Sequence, residues 1–202
     1  MLRAARDRNP FDAYLTPDAL ALAICRHLDV SCCIFPDGII EPSAGKGAFV
    51  RAARAVWPTI PIAAIEIQTG YTKALKVAGA NIVLIQRWED VKGGHAALTT
   101  YEGQHLVVGN PPYNLAQPHI EHALSIMRGG DWLAFLMRLS LLGSQKRAAS
   151  LWTDAPLRYL IPIAERADFT GGSSDNSEYG VFVWQTGYKG RAEIVMPPIS
   201  WR

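Results

Sequence analysis

The stretch HLVVGNPPYN, residues 105–114, combines residue types that could hold a planar amino group. Its first part predicts a short buried strand ending near Gly109. The four residues that follow are Asn110, Pro111, Pro112 and Tyr113. The asparagine supplies a side-chain carbonyl oxygen, the prolines leave rigid backbone acceptors because they lack an N–H, and the tyrosine offers a stacking face. These groups suit a flat molecule that bears an NH₂ group; a plain strand terminator is the alternative.

The segment EPSAGKGAF, residues 41–49, predicts a second binding turn. Gly45 and Gly47 allow a tight turn and close approach of a ligand, and the following helix offers free N–H groups. An ordinary strand-to-helix turn remains the alternative. Ala48 stands where a P-loop needs lysine, which argues against a nucleoside triphosphate site. Glu66 lies 19 residues after Gly47, near the spacing of about 20 at which an acidic residue binds a ribose.

Size and composition predict one globular domain over residues 1–202, with a basic arm over about residues 1–10. The formal net charge of +2 neither requires nor excludes a nucleic-acid partner. The three cysteines form no C-x-x-C pair, so we expect no disulfide framework and no metal site. Because no signal segment and no membrane-spanning run is found, we expect a soluble, cytoplasmic protein with no membrane partner.

Apolar runs alternate with helix-like segments, which predicts a parallel α/β sheet. Thr16 and Pro17 are expected to cap and open a helix over residues 17–28, and residues 144–154 are also expected to be helical. A polar loop over residues 170–178 is the best candidate for a mobile segment. The predicted strands lie in GII, IPIAAIEI, NIVLIQ, HLVVG, WLAFLMRLSLL, part of LRYLIPIAERADF, and YGVFVWQTG. Ligands of such sheets bind at the carboxyl ends of strands, where the binding turns fall.

Taken together, DAYLTP, EPSAGKGAF, the acidic Glu66, NPPY and GGSSDNSEYGVFVW resemble the class I S-adenosylmethionine-dependent methyltransferases that act on exocyclic amino groups. The combination looks most like small phage-type DNA N6-adenine methyltransferases and extends from about Asp12 to Trp184. This resemblance implies a Rossmann-like α/β fold: a mostly parallel seven-stranded sheet with an antiparallel last strand and helices on both faces. It also implies S-adenosylmethionine as cofactor and methyl transfer to N6 of a flipped adenine in DNA.

The resemblance also implies roles for particular residues. The catalytic residues are Asn110, Pro111, Pro112 and Tyr113. The cofactor-binding residues are Tyr14, Thr16, Pro17, Glu41, Ser43, Ala44, Gly45, Gly47, Glu66, Ile67, Asp90 and Asn110. Substrate contacts fall to Tyr113 and, as a second aromatic, Phe169. We add Arg138, Lys146 and Arg147 as candidate phosphate contacts at the mouth of the site, with a solvated basic face as the alternative.

One position departs from the family pattern. The family places an acidic residue just after the third strand, where it contacts the adenine amino group of the cofactor. In QRWEDV, residues 86–91, either Glu89 or Asp90 could take this role. We choose Asp90, with Trp88 as a wall of the adenine pocket. Two histidines on a later helix, His119 and His122, are expected to be packing or surface residues rather than metal ligands.

Three other functions stay open at the level of sequence: methyl transfer to RNA bases, methyl transfer to a protein glutamine amide, and a non-catalytic module that binds nucleic acid or the cofactor. NPPY is shared among several of these enzymes, whereas DAYLTP and the carboxyl-terminal stretch favour adenine in DNA. The chain is short for an added target-recognition domain. Recognition is therefore expected from loops such as residues 171–178 or from a partner chain, or is expected to be relaxed. A homodimer is left open.

Overall fold

The computed structural model describes residues 15–92, 103–165 and 177–202. Its strands are β1 (Gly38–Glu41), β2 (Ile62–Glu66), β3 (Ile82–Ile85), β4 (His105–Gly109), β5 (Trp132–Arg138), β6 (Tyr159–Pro162), β7 (Tyr179–Gln185) and β8 (Glu193–Ile194). Its helices are α1 (Asp18–Val30), α2 (Ala48–Val56), α3 (Thr72–Ala78), α4 (Ala116–Ile126), α5 (Gln145–Ala148) and α6 (Leu151–Asp154).

All eight strands join one sheet in the order β3-β2-β1-β4-β5-β7-β6-β8. The first five run parallel, and β7 runs antiparallel to both β5 and β6. The predicted α/β class is confirmed, including a closing antiparallel strand. The sheet has eight strands rather than seven because Glu193–Ile194 pairs in parallel with β6. Two exposed residues carry no alternating pattern, so sequence periodicity cannot reveal such a strand.

Helices cover both faces of the sheet, because successive strand side chains point to opposite sides. Ile39 packs into a core with α1, α2 and α3. Its neighbour Ile40 packs into a second core with α4 and α6. Both cores support β1 and β4 in the middle of the sheet, whose carboxyl ends carry the two binding turns.

Two local predictions differ from the structure. Thr16 does not cap α1: Pro17 is the N-cap residue, and no side chain caps the helix. The helix expected over residues 144–154 is two short helices. Ser150 lies at the break, where its hydroxyl donates to the Lys146 carbonyl over 3.0 Å. Such side-chain bonds to the backbone compete with helix continuation.

Several expectations fall on residues that the structure does not describe. These are the basic arm, Tyr14, Phe169 and most of the polar loop. Across the described ranges, no helix is both long and apolar enough to cross a membrane.

Candidate functional site

Two adjoining cavities lie where β1, β2 and β4 end. The larger has a volume of about 430 Å³ and the smaller about 220 Å³. The larger alone falls within the roughly 300–1,000 Å³ of small-molecule sites. Both are lined by Leu15, Ser43, Gly45 and Asn110. The predicted residues that line at least one of them are Thr16, Glu41, Ser43, Ala44, Gly45, Glu66, Ile67, Asn110, Pro111 and Pro112.

Glu66 ties the glycine turn to the end of β2. Its Oε2 accepts the backbone N–H of Gly45 over 2.7 Å, and its Oε1 accepts that of Gln68 over 2.8 Å. Gly45 has a φ of +49°, a left-handed conformation that glycine adopts without steric cost. The buried carboxylate therefore fixes two loops that line the larger cavity.

Gly47 does not line either cavity in the structure, although the resemblance made it a cofactor residue. It is the N-cap residue of α2, with a φ of +84°. A Cβ atom there would lie 2.9 Å from the Cβ of Ala78. The glycine is thus required by its backbone conformation and by the close packing of α2 on α3. Pro17 likewise lies at the helix start rather than in a cavity wall.

Glu41 is buried and lines the smaller cavity. Burial raises the pKa of its carboxyl well above the ordinary value; the Ser43 backbone N–H opposes this rise and the charge of Glu66 adds to it. The Glu41 carboxyl fits beside β4 because residue 109 is a glycine. A Cβ atom at residue 109 would lie 2.8 Å from Cδ of Glu41. A carboxyl whose charged form is disfavoured by burial therefore lies beside the end of β4.

Asn110 joins the Asn-Pro-Pro turn to the segment before α1. Its Nδ2 donates to Oγ1 of Thr16 over 3.0 Å. The Pro112 carbonyl accepts the N–H of Leu115 over 2.9 Å and so closes the short helical turn Tyr113–Leu115. The Thr16 hydroxyl, which the sequence predicted to cap a helix, thus holds the amide of Asn110, the candidate catalytic residue.

Tyr113 does not line either cavity. Its ring lies 5.7 Å from that of Tyr179, and the guanidinium of Arg138 lies 5.0 Å from the Tyr113 ring centroid. Burial is the main cause that raises the pKa of the Tyr113 phenol well above its ordinary value; the neighbouring Tyr179 adds to the rise, and Asn110 and Arg138 oppose it. The structure therefore packs the expected stacking ring beneath a basic side chain.

The acidic turn after β3 places Glu89, not Asp90, in the wall of the larger cavity. Asp90 is exposed because the turn Trp88–Asp90 directs it outward. Trp88 lines the cavity as expected, and its Nε1 donates to the His119 carbonyl over 3.2 Å. The geometry thus favours Glu89 over Asp90 as the acidic residue next to the cavity.

His119 was not expected in the site, but it is buried and lines the larger cavity. Its Nε2 lies 3.1 Å from Oγ of Ser43, and its Nδ1 lies 3.2 Å from Oε1 of Glu89. Burial lowers the pKa of this histidine; Glu89 and the Leu115 backbone oppose that effect. Within the described residues, no group of three or more His, Cys, Asp or Glu could hold a metal ion.

The candidate phosphate contacts do not line the cavities. Lys146 is exposed. The guanidinium of Arg147 donates to the carbonyls of Leu141 and Gly143 over 2.7 and 3.1 Å. Arg147 therefore stabilises its own turn, whereas Arg138 is the last residue of β5 and Lys146 lies on α5.

The chain is similar to known proteins in structure. No family model matches the sequence, and no curated protein matches it. The M protein of type I restriction enzyme EcoKI superposes with a TM-score of 0.61 at 14% identity, over 89% of this chain and 45% of that one. A structure from Pyrococcus horikoshii assigned as an RNA methyltransferase gives 0.64 at 12%, over 87% and 88%.

A structure from Listeria monocytogenes assigned to the class I S-adenosylmethionine-dependent methyltransferases gives a TM-score of 0.59 at 13% identity, over 93% of this chain. The chain spans 64% of the length of that protein. The sheet order and these superpositions establish a Rossmann-like class I methyltransferase fold. At such identities the likeness extends to the fold alone.

Proposed function

We propose that the chain binds S-adenosylmethionine in the adjoining cavities and transfers its methyl group to the N6 amino group of a flipped adenine in DNA. The observation that carries this proposal is the bond between Asn110 and Thr16. Asn110 lines both cavities, so the first residue of the Asn-Pro-Pro turn borders the proposed cofactor site. The turn thus meets the glycine loop at one edge of the sheet.

The polar groups of the cavities suit this cofactor. Glu66 is assigned to the ribose hydroxyls, and Glu89 to the adenine amino group, with Ile67 and Trp88 beside the ring. Glu41 and Ser43 are assigned to the amino acid end. Carboxylates and hydroxyls accept hydrogen bonds from these donors. The buried carboxyl of Glu41 gains a stabilised charge when an ammonium group lies beside it, because opposite charges favour ionisation.

When bound, the cofactor supplies a methyl carbon on a positively charged sulfur. The chain's own contribution is to position the acceptor amine. Asn110 and the Pro111 carbonyl hold the amino hydrogens out of the base plane, which turns the nitrogen lone pair toward the methyl group. The Pro112 carbonyl already accepts from Leu115, so the second acceptor is assigned to Pro111. No covalent intermediate on the enzyme is required.

Base stacking is assigned to Tyr113, with Phe169 as the second aromatic of the proposal. Arg138 lies over the Tyr113 ring, so entry of a base requires this guanidinium to leave the ring face. A displaced arginine can then contact a phosphate, which offsets part of the cost of unstacking the base. Lys146 adds an exposed cation on α5, the short helix that follows β5 in the chain.

Methyl transfer from labelled S-adenosylmethionine tests the proposal. Duplex DNA, single-stranded DNA, RNA and a peptide mixture are incubated separately with the protein, and the products are digested to nucleosides or amino acids. We expect label in N6-methyl-2′-deoxyadenosine. Label found only in RNA or in glutamine would show that RNA or a protein glutamine is the methyl acceptor instead of DNA. If no polymer is labelled, the result would support a non-catalytic binding module.

A further inference from the structure

We propose that His119 is a positioning residue that links Glu89 to Ser43, so that both present hydrogen-bond acceptors to the larger cavity. All three side chains line this cavity, and they come from three separate segments of the chain. Ser43 follows β1, Glu89 follows β3, and His119 lies on α4. The inference rests on the proposed cofactor site and adds a residue that lies outside the sequence motifs.

The surroundings of the ring determine which nitrogen carries the proton. Nδ1 faces Oε1 of Glu89 at 3.2 Å, and the ring also interacts with the Leu115 backbone. Nδ1 makes no well-aligned hydrogen bond, but the carboxylate beside it can only accept, so the proton belongs on Nδ1. Burial lowers the pKa of the ring and so favours its neutral form, in which Nε2 is the acceptor.

This tautomer orients Ser43. Its hydroxyl lies 3.1 Å from Nε2 and donates its one hydrogen there. The lone pairs of Ser43 Oγ are then directed to other partners, and its backbone N–H is already held by Oε1 of Glu41 over 3.2 Å. Ser43 lines both cavities, so it offers an acceptor at their junction.

Glu89 is oriented from the other end of the ring. Its side chain is about one-third exposed, with Oε1 toward His119 and Oε2 3.9 Å from Nε of Arg87. A partly exposed carboxylate samples several rotamers unless a neighbour restrains it. His119 restrains it against the cavity, where it discriminates between a base that bears an amino donor and one that bears a carbonyl.

Calorimetric binding of two ligands tests this role. S-adenosylhomocysteine carries the amino group, and S-inosylhomocysteine carries a carbonyl in its place. We expect the wild-type chain to prefer the first by about 10- to 100-fold, and His119→Phe to reduce that preference to a few-fold. A merely structural loss would weaken both ligands equally and leave the ratio unchanged, which would overturn the proposal.

Two further variants test separately the contact of His119 with Glu89 and its contact with Ser43. The side-chain amide of asparagine can take the position of Nδ1, which faces Glu89. The side-chain amide of glutamine can take the position of Nε2, which faces Ser43. His119→Asn is therefore expected to keep the preference for the amino-bearing ligand, and His119→Gln to lose most of it. Ser125→Ala is the control, because Ser125 is exposed on the same helix, donates to the His122 carbonyl and does not line the cavity.

Nitrogen-15 NMR of the imidazole provides a readout that needs no ligand. We expect His119 to be neutral, with Nδ1 protonated; an Nε2-protonated ring would overturn the proposal. If the wild-type chain binds neither ligand, the cofactor assignment fails together with the role of His119. Binding by the wild-type chain with unchanged discrimination in His119→Phe would overturn the role of His119 alone.

Discussion

The Nδ2 of Asn110 donates to Oγ1 of Thr16 over 3.0 Å, which joins residues 94 positions apart in the chain. This bond fixes the amide plane of Asn110 at the carboxyl end of β4. Because the carbonyl oxygen of an amide points away from its NH₂ group, the bond also determines where Asn110 can accept. A short segment before α1 thus sets the geometry of the proposed catalytic turn.

Removing the Thr16 hydroxyl is expected to slow methyl transfer. In Thr16→Val the side-chain shape is retained but the acceptor is lost, so the Asn110 amide is no longer held. We expect kcat at saturating cofactor to fall about tenfold, the effect of one buried hydrogen bond. Thr16→Ser keeps the hydroxyl and serves as the control. Equal turnover by the valine and serine variants would count against this role for Thr16.

Glu41 is expected to make stability fall as pH rises. Burial is the main cause that raises the pKa of its carboxyl in the folded chain, so above about pH 4.5 the unfolded chain releases a proton that the folded chain retains. The free energy of unfolding then decreases with pH until the folded pKa is reached, by about 1.4 kcal/mol per pH unit.

Urea denaturation of Glu41→Gln at pH 4.5 and pH 8 measures this effect. The amide keeps an acceptor for the Ser43 N–H but has no charge to lose. We expect the variant and the wild-type chain to differ least at pH 4.5, and the variant to be relatively more stable at pH 8. A difference that is independent of pH would show that Glu41 is ionised in the folded chain.

Gly109→Ala is expected to destabilise the fold, because the added methyl group would lie 2.8 Å from Cδ of Glu41. Overpacking of this kind costs about 1–3 kcal/mol. Gly129→Ala is the matched control, since nothing lies within 4 Å of a Cβ at that position. In Glu41→Ala/Gly109→Ala the cost should be less than the sum of the single changes. Thermal unfolding of the wild-type chain, the two single variants and the double variant gives the coupling energy, and strict additivity would refute the contact.

Tyr113→Ala is expected to weaken substrate binding more than turnover. Loss of the ring removes the stacking surface, worth about 1–3 kcal/mol per base, so KM for DNA should rise at least about fivefold. Tyr113→Phe keeps the ring and should stay close to the wild-type value. If the two variants bind DNA equally well, Tyr113 does not stack with the substrate.

Sequence reasoning located the strands β1 to β7 because each has a continuous apolar run, and it found the turns that end β1 and β4. It did not find the tertiary uses of short polar side chains. Thr16 fits a helix cap by its position, yet its hydroxyl bonds to Asn110. Glu89 and Asp90 are equivalent in sequence, and only the turn after β3 separates the lining residue from the exposed one.

The contacts of His119 likewise could not be predicted from the sequence. It lies six residues after Tyr113, in the first turns of the helix that follows the Asn-Pro-Pro turn, and this nearness to the motif was the available signal. Its contacts with Ser43 and Glu89 join segments that are distant in sequence. Periodicity predicts which face of a helix is buried, but it does not reveal which cavity that face borders.

In the proposed reaction, Asn110 acts mainly on the methyl acceptor and contributes little to cofactor affinity. The most direct test measures S-adenosylhomocysteine affinity and N6-methyl-2′-deoxyadenosine formation for the wild-type chain and Asn110→Ala. We predict that the variant keeps its affinity within about threefold while product formation falls at least about 100-fold, as for loss of a transition-state acceptor. Product formation by Asn110→Ala at the wild-type rate would contradict the account.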